Sequence, residues 1–165
     1  MIKILQEKFK HFMSDDYQKH IFFMQKAYEQ ALLAYEAGEV PIGAVLTKND
    51  KIIASAYNQT ITLNDPTAHA ETLAIRLAAK ELKNYRLTDT KLYVTLEPCI
   101  MCVGAMVQAR ISELIYACDD TRVGILSQKE MHKNKDINHN LKVLNGVMSV
   151  ECGDLLKSFF KERRK

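Results

Sequence analysis

The sequence predicts a single α/β domain, and three observations support this prediction. Segments with apolar residues at helical spacing alternate with short β-prone runs along the chain. A predicted strand, helix and strand follow one another after residue 92, an order that implies a parallel crossover. No repeat, low-complexity stretch or linker rich in Gly, Ser or Pro divides the 165 residues. We therefore expect a three-layer α/β/α arrangement, with helices on both faces of a mixed five-stranded sheet.

The amino-terminal half predicts a helix followed by a hairpin. Apolar residues recur at helical spacing over residues 17–37, and Gly38 suits the end of that helix. The runs 42–46 and 52–56 are rich in β-prone residues. Between them lies Asn49-Asp50, a pair that favours a tight turn, so two antiparallel strands are expected.

The remaining elements follow from the same two periodicities. Asp65-Pro66-Thr67 interrupts the chain before the next helical pattern, and Pro98 suits the first position of another helix. The predicted order is a helix at 68–82, a strand at 92–96, a helix at 99–109, a strand at 114–117, a last strand at 147–151 and a terminal helix.

Composition limits the classes of protein to be considered. A chain of 165 residues with 47% hydrophobic content can bury one core, and its net charge of +3 permits a polyanionic partner without requiring one. No run reaches the roughly 18 apolar residues of a membrane span, so we expect a cytoplasmic protein without a membrane segment. Four cysteines are too few for a disulfide scaffold, which favours a metal-binding or catalytic use.

Residues 1–13 differ from the rest of the chain. This stretch is basic and weakly amphipathic, and Met13 offers a second start of translation. We expect residues 1–13 to be a disordered or artefactual leader and residues 14–165 to form the single domain. An intact leader in the native protein, seen by amino-terminal mass spectrometry, would contradict the second start.

Cys99 and Cys102 are separated by one helical turn, a spacing that brings both sulfurs to one face within reach of one ion. Just after Pro98 they lie at a predicted helix amino terminus, where the backbone dipole favours the thiolate. By itself the pair also fits a redox motif or two core cysteines. The pair alone therefore leaves metal binding and these other uses open.

His69 and Glu71 add a third ligand and a carboxylate near the start of another predicted helix. Separately they also fit a helix-cap histidine and a carboxylate that answers the helix dipole. Together, His-x-Glu and Pro-Cys-x-x-Cys match the motif of zinc deaminases. Three ligands leave one tetrahedral position for water, as in catalytic zinc sites; Cys118 or Cys152 could fill it, although Cys118 better fits a buried strand.

The predicted chemistry is hydrolytic deamination with one Zn²⁺ per chain, held by His69, Cys99 and Cys102. Zinc lowers the pKa of bound water from 15.7 to roughly 7, which supplies hydroxide at neutral pH. Glu71 is then the proton carrier: it takes the proton of the water, passes it to the ring nitrogen and finally protonates the departing ammonia.

Longer motifs indicate the kind of deaminase. Residues 40–45, 65–71 and 96–106 resemble the bacterial tRNA-specific adenosine deaminases, and the similarity extends from about Tyr17 to Arg164. This resemblance implies a cytidine deaminase-like fold, a homodimer, and conversion of the wobble adenosine of an arginine tRNA anticodon to inosine.

The same resemblance implies contacts to the anticodon arm. Asn58 matches a family asparagine that contacts the flipped-out nucleoside, and Asp120 matches an acidic loop residue near the anticodon. Phe159, Phe160 and Arg163 match an aromatic and basic helix end that suits bases and phosphates. These last three residues also fit two core phenylalanines followed by a solvated basic tail.

One loop departs from the family pattern Lys-x-Gly-Ala-x-Gly-Ser. Residues 122–127 read Arg-Val-Gly-Ile-Leu-Ser and lack the second glycine. We expect this loop to turn differently and to alter the anticodon contacts.

Two alternative functions share parts of this motif. A free nucleobase or nucleoside deaminase, of the guanine or cytosine type, would use the same zinc chemistry with different pocket walls. A zinc-stabilised RNA-binding module without catalysis would leave Glu71 incidental, and the open ligand position argues against it.

Overall fold

The structure is a computed structural model that describes residues 14–164, so the expectation for a leader at residues 1–13 lies outside the described residues. Five strands and four α-helices are described, with one 3₁₀ turn at Met131–Lys133. The strands are β1 (Gly43–Lys48), β2 (Lys51–Tyr57), β3 (Thr90–Leu96), β4 (Glu113–Cys118) and β5 (Lys142–Asn145). The helices are α1 (Asp15–Glu36), α2 (Ala70–Leu82), α3 (Ile100–Ala109) and α4 (Ser149–Arg163).

The five strands form one mixed sheet in the order β2-β1-β3-β4-β5. β1 runs antiparallel to both β2 and β3, whereas β3, β4 and β5 are parallel. The β1–β2 turn places Asn49 and Asp50 at φ values of 50° and 56°, which are the left-handed conformations that a two-residue hairpin requires. The predicted mixed sheet and its hairpin are confirmed.

Alternating strand residues divide the core into two layers. Ala44 and Leu46 of β1 face one cluster, which contains the buried residues of α2 and α3. Val45, between them, faces a second cluster with Phe23 and Met24 of α1. This alternation is the period-2 pattern of a strand that is buried on both faces, and it confirms the three-layer arrangement.

The predicted last strand at residues 147–151 is wrong. The fifth strand is Lys142–Asn145, and α4 already begins at Ser149. Gly146 and Met148 have φ values of 92° and 58°, so the chain turns sharply between the two elements. Val147 lies in this turn and is buried in the core. An apolar β-branched residue at this position is therefore explained by core packing rather than by a strand.

Among residues 14–164, no helix combines the length and the apolar character that crossing a bilayer demands.

Candidate metal and catalytic site

Three side chains from two helix starts converge on one face of the sheet. His69 is the N-cap residue of α2, and Cys99 is the N-cap residue of α3. Cys102 lies in the first turn of α3 and is fully buried. The helix predicted at 99–109 therefore starts one residue later, with Cys99 just outside it.

The three ligand atoms form a nearly equilateral triangle. His69 Nδ1 lies 3.6 Å from Cys99 Sγ and 3.6 Å from Cys102 Sγ, and the two sulfurs are 3.6 Å apart. A tetrahedral zinc ion with ordinary bond lengths would hold nitrogen and sulfur about 3.6 Å apart and two sulfurs about 3.8 Å apart. The triangle therefore fits zinc without rearrangement.

No fourth ligand joins this group among the described residues. Cys118 donates to the carbonyl oxygen of Thr95 at 3.2 Å, and Cys152 belongs to the core on the other side of the sheet. A site with three protein ligands keeps one position for water or substrate, as catalytic zinc sites do.

Hydrogen bonds within the triangle shift the pKa values of its members. The contacts from Cys102 and His69 lower the pKa of the Cys99 thiol, and the contact with Cys99 raises the pKa of His69. The contact with Cys99, together with burial, raises the pKa of the Cys102 thiol. Two cysteine sulfurs and one histidine nitrogen are a donor set that suits a soft or borderline cation such as zinc.

Glu71 lies in the first turn of α2 and is only 3% exposed. Burial raises the pKa of its carboxyl group, against the opposing effect of a backbone hydrogen bond and the His69 charge. Its Oε2 atom is buried without a hydrogen-bond partner among the described residues. An unsatisfied buried carboxylate oxygen is costly, so its presence beside metal ligands indicates a functional group.

Asn58 directly follows β2 and is also buried. Its Oδ1 accepts a hydrogen bond from the backbone N–H of Ala70 at 2.9 Å, and thereby caps the start of α2. This bond places the Asn58 amide beside residue 70, which separates His69 from Glu71 in the sequence. The amide nitrogen takes no part in the capping bond and retains its two donor hydrogens.

Asp120 lies in the loop that follows β4. Its carboxylate accepts from the backbone N–H of Arg122 at 2.9 Å, and its own N–H donates to Glu97 at 2.8 Å. Glu97 is 3% exposed and was not predicted as a site residue. A charged residue between a buried strand and Pro98-Cys99 was the signal that sequence reasoning missed.

The carboxy-terminal residues have contacts with α1 rather than with the metal ligands. Phe159 is 4% exposed and lies edge-to-face against Tyr35. The guanidinium of Arg163 lies 4.3 Å from the centre of the Phe159 ring and donates to the carbonyl oxygen of Gly38. Phe160 is more accessible, at 37%. RNA contacts by these three residues stay a prediction, for which Phe160 is the better placed of the two rings.

The sequence matches a family model described as MafB19-like deaminase over residues 18–164. Curated relatives include the tRNA-specific adenosine deaminases of Haemophilus influenzae and Bacillus subtilis. The first is 42% identical over 144 residues, with 86% of this chain and 83% of the relative covered. The second is 43% identical over 144 residues and covers 87% and 89%.

Solved structures show the same fold. A structure from work on A-to-I editing by tRNA:A34 deaminases at the wobble position of transfer RNA has a TM-score of 0.78 and 41% identity, covering 81% of this chain and 98% of that one. Guanine deaminase from Bacillus subtilis has a TM-score of 0.60 and 33% identity, covering 93% and 96%. The cytidine deaminase-like fold expected from the motifs is thereby confirmed.

Proposed function

This chain belongs to the tRNA-specific adenosine deaminase family, and on that premise we propose that it converts the wobble adenosine of an arginine tRNA anticodon to inosine. The observation that carries the proposal is the 3.6 Å triangle of His69, Cys99 and Cys102 with the Glu71 carboxylate nearby, whose Oε2 atom has no hydrogen-bond partner among the described residues. Such a site supports hydrolysis of an amine from an aromatic ring, with water consumed and ammonia released.

His69, Cys99 and Cys102 are the proposed ligands of one Zn²⁺ per chain. A bound zinc ion supplies a nucleophilic water at neutral pH by lowering the pKa of that water. The protein contributes the fixed donor geometry and an apolar wall on the inner side of the site, where Cys102 and Val103 are fully buried.

Glu71 is the proposed general base and acid. Because burial raises its pKa, the carboxyl group can hold a proton between the two halves of the reaction. It accepts a proton from water as the oxygen bonds to the amine-bearing carbon, and it delivers a proton to the ring nitrogen. A second transfer through the same carboxylate lets the carbon–nitrogen bond break and ammonia leave.

Substrate contacts are proposed for residues around this site. Asn58 offers its free amide hydrogens to the nucleoside, and Asp120 lies on the loop beside the carboxyl end of β3. Phe160 and Arg163, with Phe159 behind them, are the proposed contacts of a more distant part of the anticodon arm. We also propose that residues 14–165 form a single zinc-dependent deaminase domain, which acts as a homodimer in the cytoplasm.

The direct test is inosine formation in a transcript of the arginine tRNA anticodon arm by the zinc-loaded protein. We expect inosine at the wobble position, and no comparable turnover of free adenosine, cytosine or guanine. A transcript with guanosine at the wobble position is the matched control, because it lacks the target amine at the same ring carbon.

Two results would contradict the proposal. Turnover of a free base in preference to the transcript would indicate a nucleobase deaminase, and guanine is included because the Bacillus subtilis guanine deaminase is 33% identical. Binding of the transcript without release of ammonia would indicate a non-catalytic RNA-binding module.

A further inference from the structure

The buried carboxylate of Glu97 gathers four hydrogen bonds from one short loop segment, residues 120–127, which we call the rim segment. We propose that Glu97 is a positioning residue that holds the rim segment beside the metal site, in the conformation that contacts the RNA substrate. The proposal deepens the proposed function and rests on it for the nature of the substrate.

Both ends of the rim segment are bound to this one carboxylate. Oε2 accepts from the Asp120 N–H at 2.8 Å and from the Ser127 hydroxyl at 2.8 Å. Oε1 accepts from the N–H groups of Leu126 at 2.7 Å and of Ser127 at 2.9 Å. The segment is therefore closed into a loop whose first and last residues are fixed at one point.

The position of Glu97 connects this loop to the metal ligands. It follows the last residue of β3, its own N–H donates to the carbonyl oxygen of Cys118 at 2.8 Å, and it precedes Cys99 by two residues. The strands β3 and β4 are parallel, so the ligand-bearing chain and the rim segment leave the sheet at the same carboxyl edge. Ligands of open α/β sheets bind in the crevice at this edge.

Apolar contacts anchor the same end of the segment. Ile125 and Leu126 are 7% and 3% exposed and belong to the core cluster that contains Cys102. Gly124 turns the chain into this anchor with φ +52°, and a Cβ there would approach the Gln128 side chain to 2.5 Å. Leu126 occupies the position of the second glycine in the family pattern. In this chain the buried Leu126 side chain therefore stabilises the turn.

The middle of the rim segment is left accessible. The Arg122 side chain is 78% exposed and Val123 is 44% exposed, whereas the Asp120 side chain is 20% exposed and residues 124–126 are buried. An accessible cation beside an apolar side chain suits a phosphate and the edge of a nucleoside. We call the Glu97 carboxylate with its four hydrogen bonds the clamp. We infer that the clamp fixes both ends of the rim segment and thereby holds Arg122 and Val123 in an exposed position.

No cation pairs with Glu97 among the described residues, so neutral donors alone satisfy its two oxygens. An amide in its place has one acceptor oxygen. If that oxygen takes the Oε1 position, the new NH₂ group faces the Asp120 N–H, and one end of the clamp opens. Glu97→Gln is therefore a nearly isosteric change that loosens Asp120 while keeping the Leu126 end.

The experiment compares zinc-loaded wild type, E97Q and the control E113Q. Glu113 is a suitable control because it lies at the other end of β4, where its carboxylate pairs with Lys91 at 3.3 Å. The measurements are zinc content, kcat and KM on the arginine tRNA anticodon-arm transcript, and residue-resolved amide exchange by NMR.

For E97Q we expect unchanged zinc content, kcat within about two-fold of wild type, and a KM about three- to ten-fold higher, because a buried hydrogen bond at one anchor is lost. The Asp120 amide should exchange faster, and the Leu126 amide should not. E113Q should match wild type in all four measurements.

Wild-type values of both KM and Asp120 exchange in E97Q would overturn the proposal. So would loss of zinc with an unchanged KM, because Glu97 would then act through the metal ligands. If E97Q does not fold, amide exchange in the wild type tests the proposal instead. The Asp120, Leu126 and Ser127 amides should then exchange more slowly than the Val123 amide. Equal exchange rates would overturn the proposal. Failure of the wild type to deaminate the transcript instead overturns the proposed function, while amide exchange still tests the clamp.

Discussion

Glu71 combines two properties that seldom occur together in a residue kept for stability: a buried carboxylate and an oxygen without a partner. Replacing it with glutamine removes the charge and keeps the volume. We predict that E71Q lowers kcat by about 10²- to 10⁴-fold, the usual contribution of a general acid or base. Inosine formation under single-turnover conditions measures this loss.

Metal content and stability distinguish this loss from a damaged site. E71Q should retain its zinc and should unfold at or above the wild-type temperature, because a neutral amide avoids the cost of burying a carboxylate. C102A is the contrasting variant and should lose zinc, since it removes a buried ligand. Near-normal turnover by E71Q would exclude Glu71 as the proton carrier.

Asn58 has one structural use and one proposed functional use, and two substitutions separate them. In N58D a carboxylate oxygen can still cap Ala70, whereas N58A loses this bond. We predict that N58A is about 1 kcal/mol less stable, because the cap contributes about that much, and that N58D keeps the cap but is also destabilised, because its carboxylate is buried at a position that is 5% exposed. Thermal unfolding monitored by circular dichroism measures the difference.

Both Asn58 variants should bind the tRNA transcript more weakly, because neither retains the amide donors. A wild-type KM in N58D would restrict Asn58 to its capping role.

The metal ligands were predictable from sequence. The spacing of Cys99 and Cys102 places both sulfurs on one side of a helical turn, and His69 was identified from the His-x-Glu motif that accompanies such a pair. Glu97 was not predicted, because its carboxylate accepts hydrogen bonds from a remote segment. The Glu97 donors lie 23 to 30 residues further along the chain, and no local pattern indicates such a pairing.

At the scale of elements, Gly43 lies in close contact with the backbone of α1. A Cβ at this first residue of β1 would lie 2.0 Å from the Ala27 carbonyl oxygen and 2.5 Å from the Ala31 nitrogen, both backbone atoms of α1. We predict that G43A lowers the free energy of unfolding by about 1–3 kcal/mol, the usual cost of overpacking. Denaturant unfolding measures this change.

Gly153 provides the matched control within α4. A Cβ there meets no heavy atom within 4 Å, so G153A should stabilise the protein by about 0.5–1 kcal/mol through helix propensity alone. Equal effects of G43A and G153A would show that α1 does not pack on β1 as closely as described.

The elements were largely predictable, and the exception shows where the pattern fails. The hairpin follows from Asn49-Asp50, since few residue types tolerate its left-handed conformations. β5 is a strand of four residues that pairs only with β4 in the described sheet, and neither Val143 nor Leu144 is fully buried. Such a strand depends on tertiary pairing, and its sequence carries too little periodicity to be recognised.

At the scale of the whole molecule, Glu39 links the end of α1 to the loop between β2 and α2. It is 1% exposed and accepts from the Thr62 and Ile61 N–H groups and from the Thr60 and Thr62 hydroxyls. Burial opposes its ionisation, but these hydrogen bonds outweigh burial and hold its pKa below the ordinary value. Glu39 therefore contributes to global stability in its charged form.

The sign of the pH dependence follows from this lowered pKa. The contribution is fully present above the pKa of Glu39 in the unfolded chain and is lost as pH falls through the lower folded value. We predict that E39Q is about 1–3 kcal/mol less stable at neutral pH, because a buried donor loses its acceptor. The difference from wild type should shrink in acid, as urea unfolding at several pH values would show. A constant difference at all pH values would contradict this account.

The triangle of His69, Cys99 and Cys102 links the start of α2 to the start of α3. An ion that binds only the folded chain adds about 4 kcal/mol of stability when its free concentration is a thousand times its Kd. For a domain of this size that corresponds to a Tm change of roughly 10 °C.

We therefore predict that a strong chelator lowers Tm by about that amount and that added zinc restores it. C102A should unfold at a temperature that responds to neither treatment, whereas E71Q should respond as wild type does. If the chelator leaves the Tm of the wild type unchanged, metal binding by these three ligands does not stabilise the fold.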